Sequence, residues 1–447
     1  MFFIVNLQNN YTIKTKMIIN FNIKNFGSIK EQQTLSFEAD KSKHLEDFYV
    51  TKKKNLRLLK IALIYGANAS GKTTILKALD FLRDLVLKPA SKKTEQLNFQ
   101  PFLFDQNTSK ENSILSIEFL QNGIKYFYEV EFNRIAIIKE SLKYSNPNRA
   151  TVFNRVTDLK NQFTEIKFGG KIKITKTFLK TLEAHTLWNN TVLGGYLKTN
   201  VEIEELKDVS TWFKNYLHPL VYPNSELSMF ITSLIEKKKI KRENILTVLR
   251  KADLNISDLI IEEKEEDIPT GIIELIEKTS DIPDEELEKI KTKKKITTVK
   301  LDLEHLVEGE RYTLPLELES AGTKRFYGFA GLLNLLVKGQ NAFPIDELDS
   351  SLHPDLYQYF LLAFLANSSN SQIIATTHNR EILNNKDIIR DDAIWITDKS
   401  NNESTELYSF ADFDSSVIRD TTNRLNAYKS GKLGGIPNLG DFYLDFE

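Results

Sequence analysis

A chain of 447 residues, 41% hydrophobic and 27% charged, has the composition of a globular protein long enough for more than one domain. No stretch is apolar enough to cross a bilayer, which excludes a membrane-spanning role and leads us to expect a cytoplasmic location. A formal net charge of −1 gives no global pull toward nucleic acid, the absence of cysteine removes disulfides and thiolate metal sites, and six scattered histidines lack zinc spacing, so any metal is expected to be a hard ion on oxygen ligands.

The opening stretch MFFIVNLQNNYTIKTK has neither the basic start nor the long apolar core of a signal peptide. Met17 then begins an alternating, strand-like run to about Phe37, so we expect translation to start at Met17 and residues 1–16 to be dispensable. After Lys52-Lys53-Lys54, the sequence LLKIALIYG reads as a buried strand, followed by a glycine-bearing loop and then TTILKALDFLRDLVL at helical spacing. SILSIEFL and IKYFYEV flank Gln121-Asn122-Gly123, a strong hairpin signal that places Ile124, Tyr126, Tyr128 and Val130 on one face. RIAIIKESLKYS continues the β-structure towards Val156.

Between about 175 and 300 the composition turns to Leu, Glu and Lys with helical periodicity, which predicts a mostly helical insertion without a sustained heptad. The runs Lys237–Lys239 and Lys293–Lys295 are candidates for touching nucleic acid or a partner, although a solvated helix face or loop explains them better. The last third alternates again: ESAGTKRFYGFAGLLNLLVKG as a helix with its lead-in, NAFPIDELD as a strand, LYQYFLLAFLA as a helix and SQIIATTHN as a strand. That alternation predicts a parallel sheet. The segments expected are 1–157, carrying the phosphate loop and hairpins, 158–309, the insertion, and 310–447, carrying the remaining motifs.

The chemistry is carried by three motifs. Gly66-Ala67-Asn68-Ala69-Ser70-Gly71-Lys72-Thr73 fits the GxxxxGK[ST] phosphate loop and sits between a predicted strand and helix, with Thr74 just inside the helix. The glycines let backbone N–H groups wrap phosphates, Lys72 meets the β- and γ-phosphates, and the Thr73 hydroxyl meets Mg²⁺, so ATP and Mg²⁺ are the expected ligands. Asp346-Glu347 closes an apolar strand, where the aspartate can hold the metal and the glutamate can take a proton from water. His378, just past IIATT, is placed to donate to the γ-phosphate.

Residues 74–345 separate the phosphate loop from the acidic pair, so the nucleotide-binding core must be split by inserted material. At this point the chain resembles ABC-type ATPases of the SMC, RecF and OLD kind, and more narrowly the prokaryotic stand-alone AAA-family ATPases of abortive-infection type. NFNIKNFGSI, GANASGKTT, YEVEFNRIAIIKESL, LESAGTKRF, IDELDSSLHPDL, TTHN and YKSGKLGGIPNLG carry the resemblance, which leaves about 160–310 unmatched. It implies an α/β fold, an ABC-type P-loop NTPase head with a mixed sheet and β-subdomain. It also implies that Ser320 and Gly322 of Glu319-Ser320-Ala321-Gly322 serve as a shortened signature motif, binding the γ-phosphate held by a second copy. Asp349 takes the D-loop place, and Gln100, before PFLF, a Q-loop place at the metal. The implied catalytic set is Lys72, Glu347 and His378. The implied assembly is a homodimer or larger oligomer bridged by ATP, with a separate effector protein in an anti-phage system, and with nucleic acid left open as a partner.

A DNA-repair or chromosome ATPase of the RecF/SMC type is the alternative. A guanine-nucleotide switch needs NKxD, and Asn385-Lys386-Asp387 has its aspartate one position early. A nuclease of the TOPRIM kind finds no room in residues 379–447, and Asp412-Phe413-Asp414 reads as a surface turn.

Overall fold

The computed structural model describes residues 15–53, 55–267, 292, 295–413, 424–437 and 443. Most of residues 1–16, together with Lys293, Lys294, Asp414 and the end of the 428–440 motif, therefore lies outside the described residues. The chain forms two compact units: Met1–Pro223 with Leu336–Ser350 and Phe364–Glu447, and Asn224–Leu335 with Ser351–Ala363.

In the first unit, β1 (Met17–Lys24), β2 (Gln33–Ser36), β3 (Val50–Lys53), β4 (Leu56–Leu59) and β5 (Ile61–Gly66) precede the phosphate-loop helix Lys72–Leu87. Next come β6 (Ser113–Gln121), β7 (Ile124–Phe132), β8 (Ile137–Ser145), β9 (Arg149–Asp158) and β10 (Phe163–Phe168). A seven-stranded sheet runs β10-β9-β8-β7-β6-β1-β2, with every neighbouring pair antiparallel. The β6–β7 turn has Asn122 at φ 56° and Gly123 at φ 79°, both left-handed, as a tight hairpin requires. Tyr126, Tyr128 and Val130 share its buried face, and Ile124 at the turn is half-buried. The helix Glu204–Asn215 lays Trp212 on Phe119 of β6 at a ring separation of 4.1 Å.

Further along the chain, the second unit holds β11 (Ile256–Asp267), β12 (Lys295–Val307) and β13 (Glu310–Pro315) in one antiparallel sheet. Helices Leu227–Glu236, Arg242–Lys251 and most of Ala321–Lys338 accompany it. The expected helical insertion is thus corrected in part: Lys176–Lys251 is rich in helix, but 256–267 and 295–307 are strands. Ile256 and Leu259 on β11 and Leu301 and Leu303 on β12 are buried, so cross-strand burial outweighs the Glu/Lys composition that reads as helix. Gly328 and Gly331 let their helix lie close on Leu227 and Ile231, which a Cβ at either position would overlap.

β14 (Ala342–Ile345), β15 (Gln372–Thr376), β16 (Ile394–Lys399) and β17 (Thr405–Ser409) belong again to the first unit. They join β5 in a five-stranded sheet, β14-β15-β5-β16-β17, parallel except for β17. Every residue of β5, β14 and β15 is buried, the signature of parallel strands covered on both faces. The first unit thus takes in residues on both sides of the expected boundaries at 157 and 310, because Trp212 packs on the antiparallel sheet and β14 belongs to the parallel one.

The seven-stranded and five-stranded sheets of the first unit meet at Gln372, which is fully buried. Its amide donates to Ile18 O and to Leu59 O, both at 3.0 Å, and its carbonyl accepts from Ile18 N–H at 2.6 Å and from the Tyr216 hydroxyl at 2.9 Å. No helix among the described residues is long and apolar enough to cross a membrane. Gln372→Met keeps the side-chain length and leaves those four partners without the amide, at about 1–3 kcal/mol for each buried group left unpaired. We expect a drop of several kcal/mol in urea-unfolding stability, and a loss below about 1 kcal/mol would show that the amide does not join the sheets.

Candidate functional site

β5 ends at Gly66, and the chain turns into the helix beginning at Lys72 through three left-handed residues, Gly66 at φ 154°, Ala69 at 62° and Gly71 at 103°. A Cβ on Gly66 would overlap Thr397 Oγ1 of β16, and one on Gly71 would overlap Thr405 Oγ1 of β17. Glycine is therefore required for space as well as for conformation. The same two threonines hold the loop: Thr397 Oγ1 lies 2.6 Å from Ser70 Oγ, and Thr405 Oγ1 donates to Ser70 O at 2.8 Å. Thr74 Oγ1 is 3.0 Å from Ser28 Oγ, which ties the first helical turn to the β1–β2 connection.

Lys72 is buried and donates from Nζ to Gly66 O and Ala67 O, both at 2.9 Å, so its ammonium spans the inside of the loop. Desolvation lowers its pKa, while Asp346, Glu347 and Asp349 pull it back up. Thr73 Oγ1 stands 3.1 Å from both carboxylate oxygens of buried Asp346. Thr376 Oγ1, at the end of β15, donates to Asp346 Oδ1 at 2.6 Å and accepts from the Glu347 N–H at 2.8 Å. Glu347 is half-buried and left-handed, with φ at 48°, a conformation that costs energy in a non-glycine residue and turns the chain sharply out of β14.

Asp349 accepts the His378 backbone N–H on both carboxylate oxygens, at 3.1 and 3.2 Å. Partial desolvation and then the Lys72 cation lower the His378 imidazole below its ordinary value, against the opposing pull of Asp349 and Glu347. A cavity of about 870 Å³ beside the loop is lined by Gly66, Ala67, Asn68 and Ser70 together with His378. Lys72, Thr73, Asp346, Glu347, Asp349 and His378 are thus gathered at one edge of the parallel sheet, although the chain separates Thr73 from Asp346 by 273 positions.

Ser320 and Gly322 belong to the second unit. Ser320 is exposed and its Oγ accepts the Thr323 N–H at 3.0 Å, the geometry of a helix N-cap. A Cβ on Gly322 would come 3.2 Å from Ser351 O. Gln100 accepts the Gly27 N–H on its backbone oxygen at 2.7 Å and lines a separate cavity of about 710 Å³ with Thr74, Lys77, Asp80 and Tyr222. Neither Thr73 nor Asp346 hydrogen-bonds to it among the described residues, so its place at a metal rests on sequence position alone. Asp412 is spent on a capping box with Ser409. Lys237–Lys239 are exposed at the end of a helix.

Sequence reasoning gave no role to Thr376, Thr397, Thr405 or Arg380. The only signal was for Thr376, which ends the IIATT strand just before His378; Thr397, Thr405 and Arg380 carried none. Among the described residues, no group of three or more His, Asp or Glu is arranged to hold a metal. A single carboxylate beside a single hydroxyl suits Mg²⁺, which draws its remaining ligands from phosphates and water.

The sequence profile of a family described as "AAA domain, putative AbiEii toxin, Type IV TA system" matches residues 61–384. No curated protein matches. Among solved structures, the SMC head domain from Thermotoga maritima is 14% identical, covering 88% of this chain and 98% of that one at a TM-score of 0.39. An SmcHead bound to the C-winged helix domain of ScpA is also 14% identical, over 88% and 97% at 0.44. An Smc head with an extended coiled coil, bound to the C-terminal domain of ScpA derived from Pyrococcus furiosus, is 12% identical, over 88% and 96% at 0.40.

Thr376→Val removes the hydroxyl that serves both acids, whereas Thr376→Ser retains it. We expect the valine variant to lose about 1–3 kcal/mol of thermal stability without nucleotide and the serine variant to lose less. Equal behaviour of the two would show that the hydroxyl does not position the acidic pair.

Proposed function

The chain belongs to that AAA-domain family, and from this premise we propose that it is a P-loop ATPase of ABC/SMC-like type, which binds ATP with Mg²⁺, hydrolyses it, and associates head to head around it. The observation that carries the reading is the meeting of Thr73 and Asp346 at 3.1 Å beside the Lys72 ammonium.

In this proposal the N–H groups from Gly66 to Thr74 cradle the phosphates, and Lys72 leaves Gly66 O and Ala67 O for the β- and γ-oxygens. The Thr73 hydroxyl and the Asp346 carboxylate hold Mg²⁺. When bound, the metal draws charge from the phosphate oxygens. Glu347 accepts the proton of the water that attacks the γ-phosphorus as the bond to ADP breaks. His378 donates to the γ-phosphate, and a neutral imidazole with its N–H directed there serves this at neutral pH. Asp349 fixes the backbone beneath His378, so a shift at one head's edge reaches the switch residue. Gln100 is kept as a metal-linked residue on sequence position only.

Ser320, exposed at the start of its helix, is proposed to meet the γ-phosphate of a second copy, together with Gly322. Its capping bond and that contact are compatible, since a hydroxyl has two acceptor sites and one donor. The family description, which refers to an AbiEii toxin and a type IV toxin–antitoxin system, is the support for a role in an anti-phage abortive-infection system. A separate effector partner and a cytoplasmic setting belong to the same proposal and rest on the sequence resemblance.

Lys72→Ala should weaken ATP binding, and Glu347→Gln should keep it while turnover falls by about 10²-fold or more. Near wild-type phosphate release by Glu347→Gln would refute the assignment of the base. With ATP, Glu347→Gln should sediment as a larger species, and adding Ser320→Arg should abolish that shift, because nucleotide that bridges copies links binding to association. Unchanged sedimentation of the double variant would remove Ser320 from the interface.

A further inference from the structure

Residues 424–437 return to the phosphate-loop end of the first unit. Tyr428 is buried on the short helix Arg424–Lys429 and stands edge-on to Tyr65, the residue before Gly66, at a ring separation of 6.1 Å. Its hydroxyl donates to Gly435 O at 2.8 Å, and the Tyr408 hydroxyl donates to Leu433 O at 2.8 Å. Gly434 and Gly435 are left-handed, at φ 66° and 65°, and a Cβ on Gly435 would come 2.8 Å from Ile396 Cγ2 and 3.4 Å from Gly66 Cα. The turn is therefore seated directly against the first residue of the phosphate loop, and Ile436 and Pro437 line the same cavity as Ala67, Asn68 and His378.

Arg380 lines that cavity too, with its guanidinium carbon 5.5 Å from the centre of the Tyr428 ring. The guanidinium carbon lies over the ring, a cation–π contact that takes none of its N–H donors. Among the described residues, the guanidinium has no carboxylate or carbonyl partner. Asp398 and Glu403, the acids of the cavity wall, belong to the β16–β17 hairpin, whereas Arg380 follows His378 by two positions, on the side of the catalytic set. Its charge is felt there, as one of the groups that lower the His378 imidazole. A half-buried cation with an open donor edge, beside a loop built for phosphate, recognises an anion that carries charge beyond the β-position.

We propose that Arg380 is a further phosphate-contact residue, aimed by the Tyr428 ring at the terminal phosphate of a nucleoside triphosphate, so that the C-terminal turn Gly431–Pro437 forms a wall of the nucleotide pocket. This rests on the reading of residues 66–73 as the ATP site. Tyr428 acts through Arg380 as a positioning residue, and the two are separable by their preference between triphosphate and diphosphate.

The test is displacement of a fluorescent nucleotide from the full chain by a non-hydrolysable ATP analogue and by ADP. Arg380→Ala should weaken the triphosphate about tenfold and ADP less than about twofold, as loss of one charge-assisted contact to the last phosphate requires. Arg380→Lys should recover part of the loss. Tyr428→Leu should reproduce it, and Tyr428→Phe, which retains the ring, should not. Equal losses for both nucleotides, or none, in Arg380→Ala overturn the proposal, and that variant decides even where Tyr428→Leu fails to fold. Absence of nucleotide binding by the wild-type chain sinks the phosphate-loop reading itself, whereas weakened binding in Lys72→Ala beside an unchanged Arg380→Ala sinks only the role of Arg380.

Discussion

Everything at the candidate site depends on β5 lying between two strands that the chain supplies some three hundred residues later. Ile61–Ile64 pair in parallel with Ile373–Thr376 on one side, and Leu63–Gly66 with Ile394–Thr397 on the other. All three strands are buried along their shared length and apolar but for the threonines at the ends, so the ladder of main-chain bonds and the side chains above and below it set one register. Because the strands run the same way, their carboxyl ends open at a common edge, the place where open α/β sheets bind ligands. β5 delivers the phosphate loop there, β14 delivers Asp346 and Glu347, and β15 delivers Thr376 and His378. The gathering of these residues is a by-product of strand order.

Charge and backbone conformation refine what topology delivers. Burial lowers the pKa of the Lys72 ammonium while three carboxylates pull it back up, and its Nζ is held on two carbonyls that phosphate oxygens can replace. Thr376 sits between Asp346 and the Glu347 backbone, and one hydroxyl fixes both acids. The left-handed backbone at Glu347 is the local cost of turning the second acid away from the first. The hydroxyl of Thr376 and the turn at Glu347 thus hold the acidic pair in place by main-chain and side-chain bonds of the protein itself.

How much of this could be read in advance follows from the range of the signals. The phosphate loop, the Asn122-Gly123 hairpin and the Asp346-Glu347 strand end are written in contiguous residues, with turn chemistry and periodicity that act locally. β11 and β12 depart from the helix their composition predicts because Glu- and Lys-rich strands mimic solvated helices until their partner is known. Thr397 and Thr405 had no readable role, since each touches Ser70 only through strand pairing that no local pattern encodes. Arg380 was hidden for the same reason: its partner, Tyr428, lies beyond two further strands.

The buried amide of Gln372 has a consequence for the order in which the protein is made. Its partners, Ile18, Leu59 and Tyr216, leave the ribosome well before it does. At synthesis rates of about 5–20 residues per second, the antiparallel sheet spends on the order of ten seconds or more with its joint unfilled and its docking face uncovered. The nascent chain is therefore most exposed to misassembly late in translation, and a message cut short before codon 372 yields a sheet with nothing to close it.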